Sequence, residues 1–146
     1  MKTVKESQVE MIELVLPNDT NMLGNLLGGR LMHWIDIAAA VSASRHSNNI
    51  AVTAEVDNLQ FHLPITLGDI VRLKASVNRA FRTSMEVGVR VEVEKIKTGD
   101  TFHSNSAYLT FVNVDSDTKK PIKVPEIKPE TEEEKRRYAQ ALKRRE

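Results

Sequence analysis

The sequence predicts an α+β domain in which a curved antiparallel sheet of five strands wraps one long central helix. Three observations predict it. A run of helix formers from Leu31 to Ser44 carries apolar residues on nearly every side, the pattern of a helix enclosed by protein. After it the apolar period changes from 3.6 to 2, through four runs punctuated by turn residues. One further strand-like run precedes the helix. A chain of 146 residues suffices for one domain with its own core.

The elements follow in order. Gln8 to Leu16 reads as a first strand, closed by Pro17 and the polar Asn18-Asp19-Thr20-Asn21. The helix ends at Arg45, His46, Ser47, Asn48 and Asn49, where basic residues suit the negative end of the helix dipole. Ala51 to Leu63 reads as a long strand stopped by Pro64. Beyond a Gly68-Asp69 turn, Val71, Leu73, Ala75 and Val77 alternate with Arg72, Lys74, Ser76 and Asn78. The clearest strand places Met85, Val87, Val89, Val91 and Val93 on one face, opposite Glu86, Arg90, Glu92 and Glu94. Thr98-Gly99-Asp100 turns the chain into a last strand, Thr101 to Val114. The folded domain is expected to span 1–125, with 126–146 a charged tail, helical or disordered. In that tail Glu132/Arg136 and Glu133/Arg137 stand at i,i+4, which suits a solvated helix. A polybasic contact through Lys143, Arg144 and Arg145 is the sharper alternative.

Composition excludes several chemistries. There is no cysteine, so disulfides, thiolate metal sites and a cysteine nucleophile are ruled out. His33, His46, His62 and His103 lack metal-ligand spacing, and no metal or other cofactor is expected. A formal net charge of +1 gives no push toward nucleic acid or membrane. The N-terminal residues lack the apolar core of a signal peptide, and Leu31–Ala43 is too short to span a bilayer. A cytoplasmic location is the expectation.

The chemistry concentrates between Pro17 and Asp36. A polar loop runs through Gly28-Gly29 into the helix, whose apolar body then holds Asp36. A carboxylate there is costly unless paired, hydrogen-bonded or chemically employed. The glycine pair opens the helix, where free backbone N–H groups can hold a carbonyl oxygen. On a helical wheel Gly29, Met32, Asp36, Ala40 and Ala43 share a stripe, leaving room beside the carboxylate. These are the parts for hydrolysing an activated acyl group: amides polarise the carbonyl and Asp36 activates water. Seven residues separate Gly29 from Asp36, roughly 10 Å along a helix, which favours a site shared between subunits. Arg82, Thr83 and Ser84 at a strand entry read either as contacts to phosphate or as a polar hairpin turn. Arg30 at the helix start reads as an exposed cation or as a phosphate contact. Trp34, Met32 and Phe61 read as core or as pocket wall.

The segment D-T-N-x-x-G-N-x-x-G-G-R-L-M-x-x-x-D at 19–36, followed by A-A-A-V-S-A-S-R-H, resembles the acyl-CoA thioesterases of the hot-dog fold. The likeness continues through V-T-A-E-V-D-N-L-Q-F-H-L-P-I-x-x-G-D at Val52–Asp69, R-T-S-M-E-V at Arg82–Val87 and L-T-F-V-N-V-D at Leu109–Asp115. It covers about Gln8 to Pro125. The resemblance implies fatty acyl-CoA as substrate, with coenzyme A only as part of it. It also implies a homodimer with joined sheets, often a hexamer as a trimer of dimers. Asp36 would be the catalytic carboxylate, as general base or as nucleophile through a mixed anhydride. Gly28 and Gly29 would bind the thioester oxygen, and Asn25 would place water or substrate. Leu27 departs from the histidine or phenylalanine common before the glycines, and Ala80-Phe81 from a common glycine. A catalytically silent acyl-CoA binder with the same fold is the alternative from another class.

Overall fold

A computed structural model describes residues 1–57 and 64–145. Helix α1 spans Gly28–Ser47, and the sheet is built from β2 (Val9–Leu14), β3 (Ile50–Val56), β4 (Ile70–Ala80), β5 (Ser84–Glu94) and β6 (Thr101–Val114). Their order is β2-β4-β5-β6-β3, antiparallel throughout. Register shifts at Val77/Arg79, Val91/Glu92 and Thr53/Glu55 bend the strands, and the sheet curls around α1 as a hot-dog fold. Short β1 (Lys2–Thr3) and β7 (Ile127–Lys128) pair in parallel beside it. Residues 58–63 of the expected long strand Ala51–Leu63, with Phe61 and His62, lie outside the described residues.

The alternation read from the sequence is the core. Val71, Leu73, Ala75 and Val77 of β4, Met85 to Val93 on alternate positions of β5, and Ala107, Leu109 and Phe111 of β6 are all buried. Against them α1 sets Leu31, Trp34, Ile35, Ala38, Ala39 and Ala43. Asn48 ends the helix in the left-handed conformation, φ 55°, which asparagine tolerates better than most residues. Full enclosure of α1 was expected, and one subunit does not supply it. Ile37 and Val41 remain about 40% exposed, beside the edge strand β3, whose Ile50 and Val52 are about half exposed. A single five-stranded sheet covers only one side of a helix.

The charged tail is the larger correction. Helix α2 (Glu132–Arg145) is docked on the outer face of the sheet rather than left in solvent. Its start is a capping box: Thr131 Oγ1 accepts from the Glu134 amide and Glu134 Oε1 from the Thr131 amide. Arg144 makes two hydrogen bonds to the buried carboxylate of Glu86, at 2.6 and 2.9 Å, and stacks on Tyr108. Asn78 Nδ2 completes the cluster by donating to Glu86 at 3.0 Å. The Glu86 bonds raise the Arg144 guanidinium above its usual range. Arg144 and Arg145 are therefore engaged with their own sheet, and the polybasic-contact reading falls. Elsewhere on the outer face Arg72, Lys74 and Arg90 converge on Glu92 at 3.8, 3.2 and 2.8 Å.

Two titrations follow from burial and pairing. His46 is fully buried at the end of α1, its Nε2 2.6 Å from the Pro125 carbonyl. Desolvation lowers its pKa from 6.5, opposed by that carbonyl and assisted by Lys2. The hydrogen bond from Arg90, then that from Lys74, holds Glu92 below 4.5 against burial. In both cases the folded state binds the proton more weakly than the unfolded chain, so stability falls as pH drops. The His46 contribution is lost on acidification from about 6.5 downward and the Glu92 contribution from about 4.5 downward. Thermal midpoints measured against pH should lose the first slope in His46→Gln and the second in Glu92→Gln. Arg144→Met strands a buried carboxylate and should cost about 1.5–3 kcal/mol in a urea titration.

Candidate active site

The loop that delivers the chain into α1 is held by two buried carboxylates. Asp19 accepts from the Leu16 amide through Oδ2 at 2.9 Å and meets Arg30 Nε through Oδ1 at 3.3 Å. Its carbonyl accepts the Leu27 amide at 2.9 Å. On the other side Asp69 Oδ2 gathers the Thr66 amide, at 2.8 Å, and Lys95 Nζ, at 2.7 Å. The loop that Asp69 organises stitches to the first: Leu26 N donates to the Ile65 carbonyl, Leu67 N to the Gly24 carbonyl, and Asn25 bridges Thr66. Between them Asn21 Oδ1 accepts the amides of Leu23 and Asn25, at 2.9 and 3.1 Å, folding a turn that Gly24 completes at φ 79°.

This scaffold presents the start of α1. Leu27 is its N-cap and gives no side-chain cap. The Arg30 and Leu31 amides turn back to the Leu27 carbonyl, while those of Gly28 and Gly29 find no acceptor among the described residues. Open space faces Gly29 where a Cβ would stand. Two N–H groups without a described acceptor thus stand at the positive end of a twenty-residue helix. The Asn25 side chain, half-buried beside them, makes no hydrogen bond to a described residue. Arg30 is committed to Asp19, which balances a cation otherwise badly placed at a helix start.

Asp36 lies on the margin between the buried and exposed sides of α1, with Met32 and Ala40 half-buried one turn either way. No cation pairs with it among the described residues. Its partner is Thr53 of β3, whose hydroxyl donates to Asp36 Oδ1 at 2.7 Å. That contact holds one carboxylate oxygen and leaves Oδ2 without a described partner. Thr53 stands inside the V-T-A-E-V segment, yet nothing in strand periodicity marks it as functional: a threonine suits any strand. Only the pairing of β3 beside α1 brings it to Asp36.

Arg82, Thr83 and Ser84 form the β4–β5 turn at the far end of α1 from the glycines. The Arg82 and Thr83 carbonyls accept the amides of Val124 and Asn113, and Ser84 Oγ accepts from Arg145 at 2.9 Å. The Arg82 side chain is exposed and carries no ion pair among the described residues. Two clefts, of about 590 and 420 Å³, are lined without Asp36.

The thioesterase superfamily model matches residues 23–99, which contain the glycine turn, Asp36 and Thr53. The chain belongs to the thioesterase superfamily. An uncharacterized acyl-CoA thioester hydrolase, YkhA of Bacillus subtilis, is 44% identical over 89% of this chain and 75% of its own length. Acyl-coenzyme A thioesterase 11 of Mus musculus is 41% identical over 95% of this chain, which spans only 23% of that protein. An apo-hexameric acyl-CoA thioesterase superposes with a TM-score of 0.93 at 42% identity, over 98% of this chain and 91% of that one. An acyl-CoA hydrolase of Staphylococcus aureus, solved with butyryl-CoA and CoA, does so at 0.91 and 38%, over 98% and 87%. Alanine variants of the same S. aureus enzyme replace an asparagine, an aspartate and a threonine spaced 15 and 17 residues apart. Asn21, Asp36 and Thr53 have those spacings here.

The buried carboxylates should show as kinetic as well as thermal effects. Asp69→Ala leaves Lys95 and the Thr66 amide without their acceptor, at about 1–3 kcal/mol. It should also lower turnover by loosening the loop that carries Asn25. Asp69→Asn retains one acceptor oxygen and should recover part of both, read from denaturation and initial rates.

Proposed function

We propose that this chain is an acyl-CoA thioesterase, hydrolysing fatty acyl-CoA to the free acid and CoA. The observation that carries this reading is the hydroxyl of Thr53 locking one oxygen of Asp36 while the other stays free. The free Oδ2 takes a proton from water, and the resulting hydroxide attacks the thioester carbonyl carbon. The tetrahedral oxyanion is held by the Gly28 and Gly29 amides. As it collapses the C–S bond breaks, the sulfur takes the proton from Asp36, and carboxylic acid and CoA leave. Asn25 places water or the carbonyl. Asn21 is a second candidate for that role, favoured by the spacing it shares with Asp36 and Thr53.

The acting unit is a dimer in this reading. Gly29 and Asp36 of one chain are roughly 10 Å apart along α1, too far for both to meet one thioester comfortably. The half-exposed Ile37 and Val41 adjoin an edge strand with unpaired backbone groups and exposed Ile50 and Val52, a template for a second copy. Pairing of two β3 edges joins the sheets, covers this patch and brings the glycine turn of one subunit toward Asp36 of the other. The hexameric neighbour supports assembly of such dimers further, as a trimer of dimers. Among the described residues no helix is long and apolar enough to cross a membrane. A cytoplasmic enzyme, free of cofactor and of nucleic acid, completes the proposal.

CoA release is measurable with a thiol reagent, since the protein has no thiol of its own. Asp36→Asn should abolish release across an acyl-CoA panel, and Thr53→Val should lower it roughly 10²-fold, the scale of a general-base contribution. Equal rates for wild type and Asp36→Asn would remove Asp36 from the mechanism, and binding without turnover in wild type would mark a silent acyl-CoA binder. Co-assembled Asp36→Asn and Asn25→Ala subunits, each inactive alone, should recover part of the activity. Verified mixed dimers that stay inactive would place each site within one chain.

A further inference from the structure

We propose that the extra residue in β3, Ala54, is a positioning residue for the hydrolysis. It holds Thr53 on the α1 side of the strand and turns the acids that follow to the other side, away from Asp36. This rests on the reading of Asp36 as general base and adds a residue to it. Thr53 stands opposite Phe111, and the next pairs are Glu55 with Thr110 and Val56 with Leu109. β3 thus advances by two residues while β6 advances by one. Ala54 is left without a partner residue, which makes a β-bulge. Phe111 and Leu109 are buried on the inner face, so Thr110 between them faces outward. Opposed residues of an antiparallel pair share a face. Glu55 therefore goes outward with Thr110, and Val56 inward with Leu109.

Strict alternation from Thr53 would instead set Glu55 and Asp57 on the α1 side. β3 runs back along α1, since the chain reverses after Ser47 and Thr53 meets Asp36. Two residues beyond Thr53 is roughly 7 Å along the strand, and one turn before Asp36 is about 6 Å along the helix. An inward Glu55 would thus stand beside Met32, on the glycine side of Asp36. Two carboxylates so close resist ionising together, and one of them keeps its proton to higher pH. The second acid would also compete for the Thr53 hydroxyl and repel the negative charge of the tetrahedral intermediate. Val56 does neither. Asp57, outward again by alternation, acts on the outer face: the Arg144 guanidinium, raised first by its Glu86 hydrogen bonds, is raised further by the charge of Asp57. Glu55 is the only ionisable residue of β3. On α1, Arg30, Arg45 and His46 are held by Asp19, Gln8 and Pro125, and His33 is exposed.

Rates of CoA release measured against pH test this, with thermal midpoints and gel filtration confirming that each variant folds and assembles as wild type does. Deletion of Ala54 should move the acid limb of the kcat/KM profile up by about one pH unit. Glu55→Gln in the deletion background should return that limb to its wild-type position. Glu55→Gln alone, on the outer face, should leave kcat/KM within about twofold of wild type. Val56→Glu sets a carboxylate on the inner face with the register intact, and it decides the matter if the deletion does not fold. It should raise the acid limb, and Val56→Gln should not. A limb that stays at its wild-type position in Val56→Glu overturns the proposal, as does a shift in the deletion that Glu55→Gln fails to reverse. Loss of turnover in the single variant Glu55→Gln also overturns it, by placing Glu55 in the site. A wild type that releases CoA from no acyl-CoA overturns the thioesterase reading and this one with it.

Discussion

Ala38, Ala39 and Ala43 have no solvent exposure and no side chain beyond Cβ, so α1 approaches the inner face of the sheet closely there. Leu31, Trp34 and Ile35 fill the wider end, and interiors packed in this way tolerate little shift in position. That contact sets the rotation of the helix about its own axis. With the alanine face inward, Asp36 falls at the margin of the core, within reach of β3. The glycine amides fall at the open mouth of the sheet, and Ile37 and Val41 face away from it. Rotating the helix by one residue, about 100°, would bury the carboxylate or carry it from Thr53.

The rest of the molecule holds the two ends of this helix. At its start two loops are knitted by Asp19 and Asp69, each buried and each satisfied by backbone amides and a cation. Such carboxylates are inexpensive to bury because their lone pairs are filled. At its end His46 meets Pro125 and Arg45 meets the Gln8 carbonyl, and the β4–β5 turn lies nearby. The outer face has a different logic: β4 and β5 carry the Glu86 and Glu92 clusters there, which anchor α2 and lace neighbouring strands.

Much of this was legible in the chain. Alternation placed Val71 to Val77 and Met85 to Val93 on the inner face, because a strand offers only two faces and only one meets α1. The last strand, Thr101 to Val114, has the bounds its turn residues predict. Enclosure of α1 was read too broadly because apolar positions left exposed, such as Ile37 and Val41, look the same in sequence as core positions. The tail was misread for the opposite reason. Arg144 and Tyr138 read as solvated until a buried glutamate and an arginine on another strand are brought beneath them. The capping box between Thr131 and Glu134, found only in the structure, marks the start of α2.

Local order thus determined what local physics controls: the helix, its glycine opening, the strands, the turns, and the place of a carboxylate along the helix. Long-range pairing decided the rest. Thr53 and Asp36 are seventeen residues apart and meet only because β3 runs beside α1. Arg82 and Lys123 share a cleft only because Val124 hydrogen-bonds to the Arg82 carbonyl. A side chain's chemistry is written at its own position, but the partner that puts it to use is chosen by packing, and packing couples residues with no sequence proximity to announce them.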